Sequence, residues 1–171
     1  MQRTRRQLCV SSAVVGSALV SGCLGGIRES TPDDSVTDTD GWTWTGSLPV
    51  SSLQQYHDAD CGCCDDYVAY LEAHGFDVSV DLVDDIAAVK TDLEIPNEVR
   101  SCHTTVVGEY LVEGHVPLEA VEALFDDEPS VLGISIPGMP QHAPGMGEPT
   151  ADPLDIYTFD GDGTTEAYMT L

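Results

Sequence analysis

Lysine is almost missing from this chain. Lys90 is the single one among six basic residues, against 30 acidic ones, and the formal charge is −24 over 171 residues. So small a basic complement excludes a nucleic-acid partner, because no stripe of cations is left to neutralise phosphates. The excess of acid instead fits adaptation to high salt, where counterions screen self-repulsion beyond about 3 Å at 1 M. On that reading Lys90 is expected on an acidic, halophilic surface. Long apolar runs are also lacking: the stretch from Leu8 to Val20 covers 13 residues, too few to span a bilayer comfortably. Aromatic residues make up only 6%, yet 42% hydrophobic residues at this length suffice for one domain with a core.

That short apolar run has a different use. Arg3, Arg5 and Arg6 precede it without any acid, and Val20-Ser21-Gly22-Cys23 follows, which together describe an export signal over 1–22. The Arg5-Arg6 pair resembles a twin-arginine signal and the box after the run resembles a lipoprotein processing site, with cleavage before Cys23 and lipid on its sulfur. The expected location is the outer face of the cell membrane, extracytoplasmic, with attachment to the membrane by the lipid anchor only. Residues 23–48, rich in Gly, Ser, Thr and Asp, are expected to form an acidic flexible tether, and 49–171 one domain.

Within that domain Val50 to Tyr56 reads as a strand and Asp65 to His74 as a helix, by the spacing of Tyr67, Val68 and Leu71, with Gly75 as its stop. Phe76, Val78 and Val80 alternate as a second strand, and Asp84 to Leu93 is a second helix ended by Pro96. Thr104 to Val107 and Tyr110 to Glu113 form a hairpin about Gly108-Glu109; Pro117 then starts a helix carrying Leu118, Val121, Leu124 and Phe125. A β-α-β unit requires a right-handed crossover and a parallel pair, so the expected fold is α/β, a thioredoxin-like mixed sheet with flanking helices. A Pro/Gly/Met loop from Ile136 to Pro149 and a β-hairpin, Leu154 to Phe159 and Thr164 to Met169, complete the chain. The turn Asp160-Gly161-Asp162-Gly163 lacks the ligand spacing of a calcium loop.

The chemistry concentrates in Cys61-Gly62-Cys63-Cys64, three thiols at the first strand-to-helix junction. Cys61 and Cys64 have the C-x-x-C spacing of a redox pair, and helix-end amides favour a thiolate there. Against a thiol-disulfide oxidoreductase stand the extra thiol of Cys63 and the negative charge of Asp65 and Asp66. Metal binding uses all the parts. Thiolates and thioethers favour Cu(I), so Cys61, Cys63, Cys64, Cys102, His103, Met139 and Met146 form the candidate ligand set for copper. The C-x-x-C cysteines with Cys102 and His103 would also suffice for tetrahedral zinc, and disulfide staples, such as Cys102 to a cluster cysteine, are the structural alternative. His115 is read as a turn or helix-start residue, and His57, His74 and His142 as surface residues, with His142 the best further ligand candidate because it shares the methionine loop.

Cys-Gly-Cys-Cys, then Ser101-Cys102-His103-Thr104, Glu113-Gly114-His115-Val116-Pro117, Pro137-Gly138-Met139-Pro140 and Pro144-Gly145-Met146 resemble, in order and content, the CopG-like copper-resistance proteins. The resemblance covers roughly Val50 to Leu171. It implies an exported thioredoxin-like protein that binds copper through the cluster cysteines and Cys102. It further implies a part in copper tolerance or copper redox handling, with copper-export proteins or cuproproteins as candidate partners.

The anchor is directly measurable. Mass spectrometry of the membrane-bound protein is expected to find Cys23 as a diacylglyceryl-modified N-terminus, and Cys23→Ala to release the chain from the membrane. An unmodified mature terminus elsewhere would reject the anchor.

Overall fold

The structure is a computed structural model that describes residues 40–171. The export signal and Cys23 lie outside the described residues. In order come β1 (Ser52–His57), α1 (Gly62–Ala73), β2 (Asp77–Leu82), α2 (Ile86–Asp92), a 3-10 turn (Asn97–Val99), β3 (His103–Val107), β4 (Tyr110–Glu113), α3 (Leu118–Asp127), β5 (Gly133–Ser135), β6 (Asp155–Phe159) and β7 (Thr165–Thr170). One seven-stranded sheet runs in the order β2-β1-β3-β4-β5-β6-β7. β1 and β2 are parallel, β3 is antiparallel to β1, and β4 antiparallel to β3, which is the thioredoxin-like arrangement expected from the element order. Among the described residues no helix is long and apolar enough to cross a membrane.

Strand alternation sorts the side chains onto two faces of the sheet. Leu53 of β1, Val107 of β3 and Val112 of β4 join Tyr67, Tyr70 and Leu71 of α1 and Leu118, Val121 and Leu124 of α3 in the larger core. Their alternates Val106 and Leu111 pack on the other face with Ile95, Val99 and Phe159. The same parity places His103 and Thr105 toward α1 but Thr104 and Glu113 toward α2.

Several elements depart from expectation. Helix α1 begins at Gly62, ahead of the expected Asp65, with Cys61 as its N-cap, so the cysteines at the strand-to-helix junction form the helix's first turn. β5 was not expected: three residues starting with a glycine carry no periodic signal, and the strand exists because it pairs with β4 and β6. Gly133 is required there, since a Cβ would collide with the Leu111 carbonyl. Lys90 is not a surface residue. It is 2% exposed and pairs with Glu113, which is fully buried. His57 is likewise buried, not exposed. Residues 40–48, assigned to the tether by composition, pack on the domain: Trp42, Trp44 and Leu48 lie against the larger core, and Trp44 Nε1 donates to Glu122 at 2.9 Å.

The Pro/Gly/Met loop crosses the start of α1 at Gly145, whose φ is +72° and whose added Cβ would lie 2.7 Å from the Tyr67 amide nitrogen. Both the left-handed backbone and the contact oppose a side chain. Gly145→Ala is expected to destabilise the protein by at least about 1–2 kcal/mol, read as a lower midpoint in denaturant; an unchanged midpoint would contradict this packing.

Candidate metal centre

The end of β1, the start of α1, the start of β3 and the turn after β4 converge on one spot. Cys61 sits at the N-cap, where the first-turn amides have no partner within the helix, and Cys64 one turn in is fully buried. Cys102 immediately precedes β3. The sulfurs of Cys61, Cys63, Cys64 and Cys102 all lie within 4.8 Å of one another. Cys61 and Cys64 are joined by a disulfide, while Cys63 and Cys102 are free thiols. The cysteines are therefore bridged within the C-x-x-C pair, and the alternative bridge from Cys102 to the cluster is not formed. Cys63 Sγ lies 3.6 Å from Cys61 Sγ.

Cys102 also belongs to a second group, with one ring nitrogen each from His103 and His115, again within 4.8 Å. His103 Nδ1 is 3.3 Å and His115 Nε2 3.4 Å from Cys102 Sγ. His115 Nδ1 stands 2.7 Å from the Pro144 carbonyl oxygen. A carbonyl can only accept, so the proton is on Nδ1 and the Nε2 lone pair faces Cys102. An imidazole oriented through its other nitrogen in this way is the usual second-layer support of a metal-ligating histidine. His115 is thus more than a turn residue: it is fully buried and aimed at the sulfur. The sequence signal was weak, a lone histidine between Gly114 and Val116.

Burial lowers His103 well below the ordinary imidazole range, with His115, Lys90 and His57 adding to the effect, and burial lowers His115 as well. Both are neutral at neutral pH and available as ligands. Burial, reinforced by Cys63, pushes the Cys102 thiol up to about 11. A cation arriving at Cys102 must therefore displace a proton. The rings pack closely: His103 lies 4.7 Å from Tyr67 and 4.8 Å from His115 between centroids, and Tyr67 donates to the Val116 carbonyl at 2.7 Å. His103 Nε2 is buried without a hydrogen-bond partner, an orphan that a buried polar atom does not normally tolerate. Four sulfurs and two neutral imidazoles fit a soft, thiophilic cation and not a hard, oxygen-seeking one.

The methionines divide. Met139, 42% exposed, lines with Cys102, Arg100, Ser101 and Gly138 a cavity of about 340 Å³. Met146 packs against the larger core, on the loop whose Pro144 carbonyl holds His115. His142 is partly buried, with its Nε2 lacking a hydrogen-bond partner. His74 accepts from the Trp44 amide at 3.1 Å, well occupied outside the cluster. Asp65 faces solvent on the site's outer side, 3.6 Å from His57 Nε2, where water moderates its charge.

A family model described as "Protein of unknown function, DUF411" matches residues 99–146, the segment carrying Cys102, His103, His115 and both methionines. Two solved structures are similar over most of the domain. One, "Copper resistance protein copG- Form 2", is 34% identical with a TM-score of 0.62, covering 70% of this chain and 97% of that one. The other, "Copper resistance protein copG- Form 1", is 34% identical with a TM-score of 0.63, covering 70% and 96%. None of the curated proteins matches.

The buried thiol gives a pH prediction. In the metal-free protein with Cys61–Cys64 bridged, alkylation of Cys102 followed by peptide mass mapping should accelerate with pH up to about 11. A rate that levels off below pH 9 would contradict the burial.

Proposed function

The chain belongs to the family of the copper resistance protein CopG, and on that premise we propose that it is an extracytoplasmic copper-binding protein serving copper tolerance or copper redox handling. Its cysteine cluster is capable of metal binding. The observation that carries the finer reading is the convergence of four cysteine sulfurs, two of them joined in the Cys61–Cys64 bridge, and two neutral imidazoles, with Cys102 common to both groups. On this reading Cys61, Cys63, Cys64 and Cys102 hold Cu(I), with His103, Met139 and Met146 as auxiliary ligands. His115 joins them because its Nε2 faces Cys102. Thiolates favour Cu(I) over harder ions, and copper outside the cell stays near the membrane through a lipid on Cys23, with copper-export proteins or cuproproteins as partners. The acidic surface is read as adaptation to high salt.

A second reading has its own support in the Cys61–Cys64 bridge. Opening it takes two electrons and two protons from an external dithiol and gives two thiols, the half-reaction of a thiol-disulfide oxidoreductase. In copper binding the same step supplies two more thiolate ligands. A tetrahedral zinc site is the remaining alternative.

Anaerobic titration of the reduced protein with Cu(I) against a chromogenic chelator separates the three. Tight copper binding that weakens at least about tenfold in Cys63→Ser and Cys102→Ser supports the copper reading. Retained zinc with no tight copper rejects it. Insulin reduction that vanishes in Cys61→Ser but survives in Cys63→Ser would favour the oxidoreductase.

A further inference from the structure

Resting on the copper-thiolate reading above, we propose that Glu113, neutralised by Lys90, is the positioning residue for Cys102. Glu113 Oε2 accepts the Ser101 backbone N–H at 2.7 Å, one residue before the sulfur ligand. Its Oε1 accepts from the Thr104 hydroxyl and from Lys90 Nζ. One carboxylate therefore grips the segment on both sides of Cys102-His103. Strand parity makes this possible: Thr104 and Glu113 face α2, where Lys90 is, while His103 faces α1 and the cysteines.

The neighbours serve the same grip. Gly114 has φ of +78°, and a Cβ on it would fall 2.6 Å from Ser101 Oγ, so only glycine lets Ser101 approach the carboxylate. Gly114 N–H also donates to the His103 carbonyl at 3.2 Å. Arg100 donates to the Ile95 carbonyl at 2.8 and 3.0 Å, fixing the preceding residue from the α2 side. Stability alone is a poor reason for the pair, since apolar side chains of similar volume often replace a buried ion pair without loss. What apolar side chains cannot replace is the acceptor for Ser101 N–H.

Two double variants of the full chain separate acceptor from charge. Lys90→Met with Glu113→Gln removes both charges but keeps an amide oxygen for Ser101 and an amide N–H for Thr104. Lys90→Met with Glu113→Leu removes the acceptor as well. The glutamine variant should bind Cu(I) within about threefold of wild type, and the leucine variant about 10–100-fold more weakly, the usual loss for outer-layer partners of a metal ligand. In metal-free protein, alkylation of Cys102 should be several-fold faster in the leucine variant only. Equal affinities and equal alkylation rates in the two variants would overturn the proposal. A leucine variant that does not fold leaves hydrogen exchange in the reduced wild type to decide: the Ser101 amide is expected to be protected at least about 100-fold, a local opening cost within the range folded domains show, and free exchange overturns the proposal. Alkylation and exchange require no metal. A wild type that fails to bind copper therefore sinks the copper reading, while those two readouts still judge the positioning.

Discussion

Glu113 has no contact with water, and a carboxylate there is tolerable only if every lone pair in reach finds a donor. Lys90, Thr104 and the Ser101 amide meet that demand. Each comes from a different piece of chain, α2, β3 and the segment before β3, so satisfying one charge fixes three pieces relative to β4. The cysteine cluster, the candidate metal centre, is built on the opposite side of the same strands. Burial also lowers Lys90 from the ordinary ammonium range, and Glu113 acts against that shift, so the buried ammonium depends on its carboxylate partner.

On the α1 face the same economy recurs with neutral groups. Gln55 Nε2 donates to the Cys64 carbonyl at 3.0 Å and approaches His57 Nδ1 at 3.3 Å, while Thr105 donates to Gln55 Oε1 at 3.2 Å. This polar layer on β1 and β3 supports the first turn of α1 from beneath. Above it, the loop through Gly145 closes on Tyr67, and its Pro144 carbonyl fixes the tautomer of His115. Trp42 Nε1 donates to the Gly147 carbonyl at 3.1 Å, tying the N-terminal segment to the same loop. The first turns of α1 thus rest on a polar floor through Gln55, while the loop packs against the same helix at Gly145 and is tied to Trp42 at Gly147.

The departures from expectation share a physical cause. A single lysine in so acidic a chain reads as surface by residue type, and nothing local in α2 reveals that its partner is Glu113, 23 positions away. β5 is three residues long and exists through its neighbours' backbone groups. His115 shows its role only through Pro144 and Cys102, residues 29 and 13 positions distant. The helix start at Gly62 moved because Cys61 takes the N-cap without any side-chain hydrogen bond, so no capping residue marked it.

Sequence alone determined what period and spacing can carry. The order of strands and helices, the right-handed β-α-β crossover, the cysteine cluster at its junction, and Cys102-His103 at the start of the hairpin all follow from local pattern and covalent geometry. The tertiary structure decided the rest: that Cys61 pairs with Cys64, that Cys102 lies within reach of both the cluster and His115, and that Lys90 and Glu113 are buried together. Those facts depend on which faces of distant strands meet, a property set by packing and by the need to satisfy buried polar groups. The thiols were legible as a motif; their shared location with two imidazoles became legible only when the sheet closed beneath them.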